Sequence, residues 1–438
     1  MILKVKSINE IKGCVEAPSS KSYSHRAVIL ASLAKGESKL FNMLFSEDVI
    51  SSINICKLFG AKIIQKNNYL SVTGTGGKLH NFSEDIIDLG NSGTTLRLFT
   101  SLSSLCDNSV ILSGDESLQT RPMGLLLNSL NNLGVKAYSV NNNDKAPIKI
   151  LPGYIGGKTD IRGDMSSQFI SSILISAPLS DEGVVLSVLP EFVSRPYVNM
   201  TVDIMSKFGV SVNKSIFNKH ENCDKLIKSC AVEQFSIPHN LYKSTNYTVE
   251  GDYSSASYLL SACAICGGKI TVNNLFKNSK QGDKLILDIL SEMGSDITCT
   301  NDSVTIESKG ELKGIKVNLS NAPDLILTVA ALASLAKGKT EIFGVKHGRL
   351  KETDRISTCC NELSKLGVNV TEYEDGMVIE GGVNGGEVDS HKDHRLVMAF
   401  SLIGLKKKIV IHDAEVFNVS FPNFIESMNN IGVNLELY

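Results

Sequence analysis

The chain lacks the basic excess that nucleic-acid or anionic-membrane binding needs. Its 438 residues carry 44 Lys and Arg against 46 Asp and Glu, a formal net charge of -2. Long apolar runs are missing too. The opening MILKVKSINEIKG has no segment of signal-peptide type, and the longest apolar-looking run, Leu325 to Ala336, is too short to span a bilayer. A cytoplasmic protein that binds neither nucleic acid nor membrane is expected. No metal set is complete. Among ten cysteines, Cys263 and Cys266 form a CxxC, but they lie in the apolar SYLLSACAICGG, and no second CxxC or His pair joins them. Cys14, Cys56, Cys106, Cys223, Cys230, Cys299 and the adjacent Cys359 and Cys360 show no ligand spacing, which predicts reduced structural thiols and no metal. A Walker loop is also absent. Gly157-Lys158-Thr159 and Gly338-Lys339-Thr340 follow Pro152 and Ala333 where the motif needs its first Gly, so no nucleotide cofactor is expected.

What is present is an ordinary globular composition, 42% hydrophobic and 21% charged, in a chain long enough for two or three domains. It contains a repeat. An apolar helical pattern ends at a Gly and runs into an alternating strand six times, at Gly60, Gly134, Gly209, Gly294, Gly367 and Gly432. A small-residue helix breaking into a strand precedes each copy, as in ASLAKGESKL and ASLAKGKTEI. The copies lie about 65 to 85 residues apart, too far for a thin solenoid, so the pattern predicts six α/β units in two halves of three. The polar segment Asn213 to Lys243 is the least regular, which puts the start of the second half near Asn246.

The stretch Pro18 to Arg26, PSSKSYSHR, reads as a strand-to-helix junction. Its free backbone N–H groups and positive dipole end attract anions, and Lys21, Ser22 and Arg26 add cations and a hydroxyl, with Ser22 and Arg26 on one helical face. In LGNSGTTLR, Gly93 lets the backbone approach an anion closely, and Arg97 follows on the helix. Arg121, before Pro122 at the start of another helix, reads either as a surface residue or as a fork presented to phosphate or carboxylate. Ser166, Ser167 and Gln168 open an apolar helix as caps or as a polyol or phosphate contact, and Ser194-Arg195-Pro196-Tyr197 is a similar break. Asp324, at the head of the most apolar helix, reads as a dipole partner or a general base. In GRLKETDRI, Lys351 and Arg355 are four apart on one expected helical face, with Glu352 between them, an arrangement that suits an anion held by both cations. His394-Arg395 precedes a further apolar helix. Cations therefore gather near helix starts in both halves. A cleft lined this way suits two small, multiply charged substrates, with Asp324 and Glu352 as proton-transfer groups.

SKSYSHR, LGNSGTTLR, RPM, SSQF, VEGDYSSASY, LKETDR and DHR, in this order over essentially the whole chain, resemble the 5-enolpyruvylshikimate-3-phosphate synthases of the enolpyruvyl transferase family. The resemblance implies two inside-out α/β barrel-like domains, each of three βαβαββ repeats, with the active-site cleft between them. It implies a first, discontinuous domain of residues 1–18 plus 247–438 and a second of 19–246. The implied reaction transfers the enolpyruvyl group of phosphoenolpyruvate to the 5-hydroxyl of shikimate 3-phosphate, releasing phosphate, by addition and elimination through a tetrahedral intermediate. By motif match, Ser22, Arg26, Ser166, Ser167, Ser194, Asp324 and Lys351 are expected to hold shikimate 3-phosphate. Gly93, Arg121, Arg355 and Arg395 are expected to hold phosphoenolpyruvate, with Lys21 and Gln168 touching both substrates. Asp324 is the expected base toward the 5-hydroxyl, Glu352 the group that protonates and deprotonates the methylene carbon, and Lys21 shares in the transfers. A monomer without a cofactor is implied.

The chain departs from the family pattern in places. Val419 stands where well-known members carry a Lys before Phe-Pro, His347 where an Asn is expected to touch the shikimate phosphate, and Leu98 where a Pro is common, a change expected to relax that helix start. Gly93 is kept, which implies sensitivity to glyphosate, a competitor for the phosphoenolpyruvate site in this family. The sister enzyme acting on UDP-N-acetylglucosamine is the alternative. It usually has a Cys five residues before its Arg-Pro, where this chain has Glu116.

Overall fold

The computed structural model describes residues 1–80, 86–218 and 231–438. It forms two compact units, Met1–Ser20 with Glu250–Tyr438, and Lys21–Val249. Each unit has three four-stranded sheets of one topology. In every sheet an edge strand pairs in parallel with its neighbour, which is followed by two antiparallel strands. The chain order that produces it is strand, helix, strand, helix, strand, strand, seen among the described residues from Gly157–Arg162 to Ala231–Ile237 and from Lys316–Asn318 to Gly376–Glu380. These are the six expected α/β repeats.

Distant strands complete three of the sheets. Ile11–Glu16 runs parallel to Gly268–Asn273 over six paired residues, and Ile2–Val5 lies antiparallel between Ile409–His412 and Leu435–Leu437. Tyr247–Thr248 pairs in parallel with Leu40–Phe41 in the other unit. Two crossovers link the units, and at them Ser19 bridges Gly251 while the Asp252 N–H donates to the Pro18 carbonyl over 2.8 Å.

The helices divide by pattern. In the unit Met1–Ser20 with Glu250–Tyr438, Tyr253–Cys266, Ile326–Leu335 and His394–Gly404 pack pairwise on one another with almost no exposed residue. Helices that are apolar all round belong in an interior. Tyr253–Cys266 contains four Ser and two Tyr, poor helix formers, but a propensity loss below about 0.7 kcal/mol per residue is small beside the ~1.5–3 kcal/mol from burying each large apolar side chain. Several buried hydroxyls in these helices are satisfied locally, whereas Ser261 Oγ makes no hydrogen bond among the described residues. Ser257 donates to the Ser254 carbonyl, Ser334 to Ala331 and Ser401 to Met398, at 2.6 to 2.8 Å. In the unit Lys21–Val249, Gly93–Leu102 packs on Ser167–Ser176, while Lys21–Leu33 lies against Glu47–Leu58 and Arg195–Lys207. The second helix of each repeat has one exposed face and ends at a residue with positive φ, from 81° at Gly367 to 115° at Gly294, where a side chain would be strained.

Three sequence expectations change. Asn213–Asn218 and Ala231–Ile237 form a regular antiparallel pair inside the segment expected to be least regular, and residues 219–230 of that segment lie outside the described residues. Leu98 is the sixth residue of its helix and fully buried, so it does not loosen the helix start. Cys56, Cys106, Cys263, Cys266, Cys359 and Cys360 are buried thiols and the half-buried Cys299 packs against the core, but Cys14 is exposed, so core packing does not account for it. Cys223 and Cys230 lie outside the described residues. Among the described residues, no helix is long and apolar enough to cross a membrane.

Candidate active site

The interior helices begin where the singled-out residues lie. Lys21 is the first residue of Lys21–Leu33, Gly93 opens Gly93–Leu102, and Ser166 caps Ser167–Ser176 by accepting from the Gln168 N–H at 3.3 Å. Asp324 sits in the 3-10 turn Pro323–Leu325 that leads into Ile326–Leu335, and Arg395 is the second residue of His394–Gly404. Helix N-termini carry unpaired N–H groups and a positive dipole end, so anions are favoured at these positions before any side chain is counted.

In the unit Lys21–Val249, the Lys21 Nζ pairs with Asp48 Oδ2 at 2.8 Å. Burial opposes the Asp48 charge, but Lys21 beside it, by its charge and its hydrogen bond, holds the carboxyl below the ordinary carboxylate range. Sequence reading missed Asp48, because an acid in the first turn of Glu47–Leu58 looks like a dipole partner and its distance from Lys21 is tertiary. Behind it runs a buried hydroxyl chain: His25 Nδ1 to Ser52 Oγ at 2.8 Å, Ser52 to Thr95 at 2.8 Å, and Thr95 to Ser92 at 2.7 Å. Burial pushes His25 down to about 3, so the ring is neutral.

Arg26 is buried one turn further along. Its Nε donates to Thr201 Oγ1 at 2.8 Å and its Nη1 to the Ser22 carbonyl at 2.8 Å, with Ser171 and the Tyr197 carbonyl at 3.4 Å. These partners are neutral, so its charge has no carboxylate among the described residues to offset it. The arrangement favours an incoming anion.

Gln168 joins two helix starts: its Nε2 donates to Thr94 Oγ1 at 2.9 Å, and its Oε1 accepts from Arg97 Nη1 at 2.5 Å. Arg97 also stacks on Phe169, 5.4 Å from the ring centroid. Arg121 is extended, as its place before Pro122 requires, but it ends the short helix Glu116–Thr120 rather than opening one. Its Nη2 donates to Asn91 Oδ1 at 2.7 Å, and its Nη1 crowds the open side of Gly93. Ser194 is buried in the left-handed region at φ 52°, directly before the helix Arg195–Lys207. Of the expected cations, Lys21, Arg355 and Arg395 lie in a first helical turn, whereas Arg26 and Arg97 lie a turn later.

The densest cluster is in the unit Met1–Ser20 with Glu250–Tyr438. Asp324 gathers three cations: Oδ1 meets Arg355 Nη1 at 2.9 Å and Lys351 Nζ at 3.7 Å, and Oδ2 meets Arg395 Nη2 at 2.9 Å. Arg355 also holds Glu352 Oε2 at 2.5 Å and, through Nε, Asp393 Oδ2 at 2.8 Å. Three cations thus face three carboxylates. Burial opposes the Asp324 charge, yet Arg395, Lys351 and Arg355 hold its carboxyl far below the ordinary range. For Arg355, burial works against the charge, and Asp393, Glu352 and Asp324 more than offset it.

The expectation that Lys351 and Arg355 share a helical face is corrected here. The helix begins only at Arg355, and Lys351 is extended after the 3-10 turn Lys346–Leu350, so the two cations meet through Asp324 instead. Asp393 was missed as a functional residue. It reads as a plain helix cap in SHKDHR, yet besides accepting from the Arg395 N–H at 2.9 Å it is the fully buried partner of Arg355. His347 is buried nearby, and burial with Lys351 beside it pushes its ring down to about 4. Val419 is half-buried in the 3-10 turn Ala414–Val419. Among the described residues, one group has metal-like spacing, Glu362, Asp389 and His391. Lys365 already stands 2.7 Å from Glu362 and 3.5 Å from Asp389 there.

Six sheets of one topology and cations set at the starts of interior helices define a class of two-unit α/β enzymes that handle small anions. The model of the family EPSP synthase (3-phosphoshikimate 1-carboxyvinyltransferase) matches residues 5–428. The chain is 65% identical over 437 residues to the 3-phosphoshikimate 1-carboxyvinyltransferase of Methanobrevibacter smithii, with 100% of each covered. It is 53% identical, again with 100% of each covered, to the protein of that name from Methanothermobacter thermautotrophicus. A solved EPSP synthase from Acinetobacter baumannii superposes with a TM-score of 0.79 at 26% identity, covering 99% of both chains. The chain belongs to the EPSP synthase family.

Proposed function

We propose that the chain transfers the enolpyruvyl group of phosphoenolpyruvate to the 5-hydroxyl of shikimate 3-phosphate and releases phosphate. Family membership supports the reaction. The observation that carries the assignment of residues is Asp324 paired at once with Lys351, Arg355 and Arg395.

A carboxylate held that low is a poor base. It becomes a better one when substrate anions compete for its cations: each cation drawn toward a phosphate or carboxylate raises the Asp324 pKa. In this reading Arg355 and Arg395, with Arg121 and the open side of Gly93, hold phosphoenolpyruvate. Lys351, Ser22, Arg26, Ser166, Ser167 and Ser194 hold shikimate 3-phosphate, and Lys21 and Gln168 touch both. Arginine forks suit the carboxylate and phosphate of phosphoenolpyruvate, and the Lys21 ammonium suits a position shared by two anions.

The 5-hydroxyl oxygen bonds to C2 of phosphoenolpyruvate while Asp324 takes the hydroxyl proton and Glu352, which takes up a proton from solvent once the substrate anion draws Arg355 off its carboxylate, gives that proton to C3. In the second step Glu352 removes a proton from the resulting methyl group, the C2–C3 double bond re-forms, and the C2–O bond to phosphate breaks. One chain supplies every residue in this assignment, so a monomer suffices, and the polar substrates suit the cytoplasm. Mixing the protein with phosphoenolpyruvate and shikimate 3-phosphate, with UDP-N-acetylglucosamine as a parallel acceptor, tests the reading. Phosphate release with shikimate 3-phosphate alone is expected. Release with the nucleotide sugar alone, or with neither, overturns it.

A further inference from the structure

We propose that Arg349 is a positioning residue that holds the loop bearing Lys351 and Glu352 in its reactive placement. The inference rests on the reading above, in which those two residues serve the transfer. Between the 3-10 turn Lys346–Leu350 and the helix Arg355–Lys365, the link of residues 351–354 is not helical, and it carries both side chains. A link of that kind is free to swing unless its ends are tied. Arg349 ties them. Its Nη1 donates to Asp354 Oδ2 at 2.8 Å and to Ser357 Oγ at 3.1 Å, closing the loop from 349 to 354. The other Asp354 oxygen caps the helix, accepting from the Ile356 and Ser357 N–H groups at 3.2 and 3.0 Å.

The rest of the guanidinium fixes this loop to a frame. Its Nε donates to the Glu374 carbonyl at 3.0 Å and its Nη2 to the Tyr373 carbonyl at 2.7 Å, and Glu372 Oε1 stands 2.8 Å from Nη1. Those residues belong to the hairpin of Asn369–Tyr373 and Gly376–Glu380, whose Asp375 accepts from the Gly344 and Lys346 N–H groups at 3.1 and 2.7 Å. Three nitrogens of one planar fork thus join a turn, a helix cap and a hairpin. The ion pairs are partly exposed and contribute little stability. Their effect is directional: Lys351 is delivered to Asp324 and Glu352 to Arg355. A misplacement of about 1 Å at a reacting group is enough for a rate loss of about a hundredfold. Arg349 itself has no substrate contact in the assignment.

The test compares Arg349→Gln, Arg349→Lys, Asp354→Asn and, as reference, Glu352→Gln. It reads kcat, KM for each substrate, and hydrogen exchange across residues 346–358. Arg349→Gln is expected to lower kcat about tenfold or more and to change KM for phosphoenolpyruvate less than about threefold, because Arg355 keeps its own carboxylates. Arg349→Lys should recover part of the rate, since an ammonium still reaches Asp354 but does not span to the hairpin carbonyls. Asp354→Asn, which keeps a capping side chain, should lower kcat as well. Exchange should rise in 346–358 and stay unchanged elsewhere. A kcat for Arg349→Gln within about threefold of the parent, beside a crippled Glu352→Gln, overturns the proposal, as does an exchange rise spread over the whole unit. If Glu352→Gln keeps its activity, the assignment of Glu352 has failed, and the exchange measurement alone decides whether Arg349 holds the loop.

Discussion

A Cβ on Gly93 would lie 2.4 Å from Arg121 Nη1, so no methyl group fits between this helix start and that guanidinium. The obstacle is the end of a flexible side chain, and Gly93→Ala is therefore accommodated by displacing Arg121 rather than by unfolding. Displacement strains the bond to Asn91 and moves a fork assigned to phosphoenolpyruvate. A hydrogen bond to a charged group contributes about 1.5–3 kcal/mol, so Gly93→Ala is expected to raise KM for phosphoenolpyruvate about tenfold or more. KM for shikimate 3-phosphate should change little. With Gly93 in place, glyphosate at millimolar concentration is expected to inhibit, and in Gly93→Ala this inhibition should weaken. Uninhibited turnover by the parent protein contradicts the assignment of Gly93.

Asp324→Asn keeps the shape of the side chain but removes a charge that three cations share. If Asp324 is the base toward the 5-hydroxyl, kcat falls by about a hundredfold or more, the usual range for general acid–base catalysis. Turnover within about tenfold of the parent would show that another group takes the proton.

His347 offers a pH test of the fold. Burial first, then Lys351, lowers its pKa from 6.5 to about 4, so the unfolded chain binds this proton before the folded chain does. Stability from the neutral ring is complete above pH about 6.5 and is lost as pH falls toward about 4. His25, lowered to about 3, acts the same way, whereas the depressed Asp48 and Asp324 matter only below their ordinary value of 3.8. Between pH about 7 and about 4.5, His347→Asn is expected to lose up to about 2 kcal/mol less unfolding free energy than the parent. Denaturant unfolding at the two pH values measures this. An equal loss in both proteins contradicts a buried, neutral His347.

Local pattern made much of the architecture legible. All six glycines read as helix ends have positive φ, and a strand begins two or three residues beyond five of them and four beyond Gly209. Each is a short-range event that one residue type announces. The candidate site was readable where a residue type and a helix start coincide, as at Lys21, Gly93, Asp324 and Arg395. It was not readable where a contact spans the sequence. Asp48 and Asp393 look like ordinary first-turn or capping acids, and only the packing of separate helices brings them to Lys21 and Arg355. Spacing also misled at Lys351 and Arg355. Four residues apart implies a shared face only inside a helix, and the Asp354 cap starts that helix at Arg355.

Arg121 and Arg395 are both assigned to phosphoenolpyruvate, and steady-state kinetics of Arg121→Gln and Arg395→Gln test that assignment most directly. The expected result is a rise in KM for phosphoenolpyruvate of about tenfold or more in each variant, beside a change of less than about threefold in the dissociation constant of shikimate 3-phosphate. A rise confined to one variant would contradict the assignment of the other arginine.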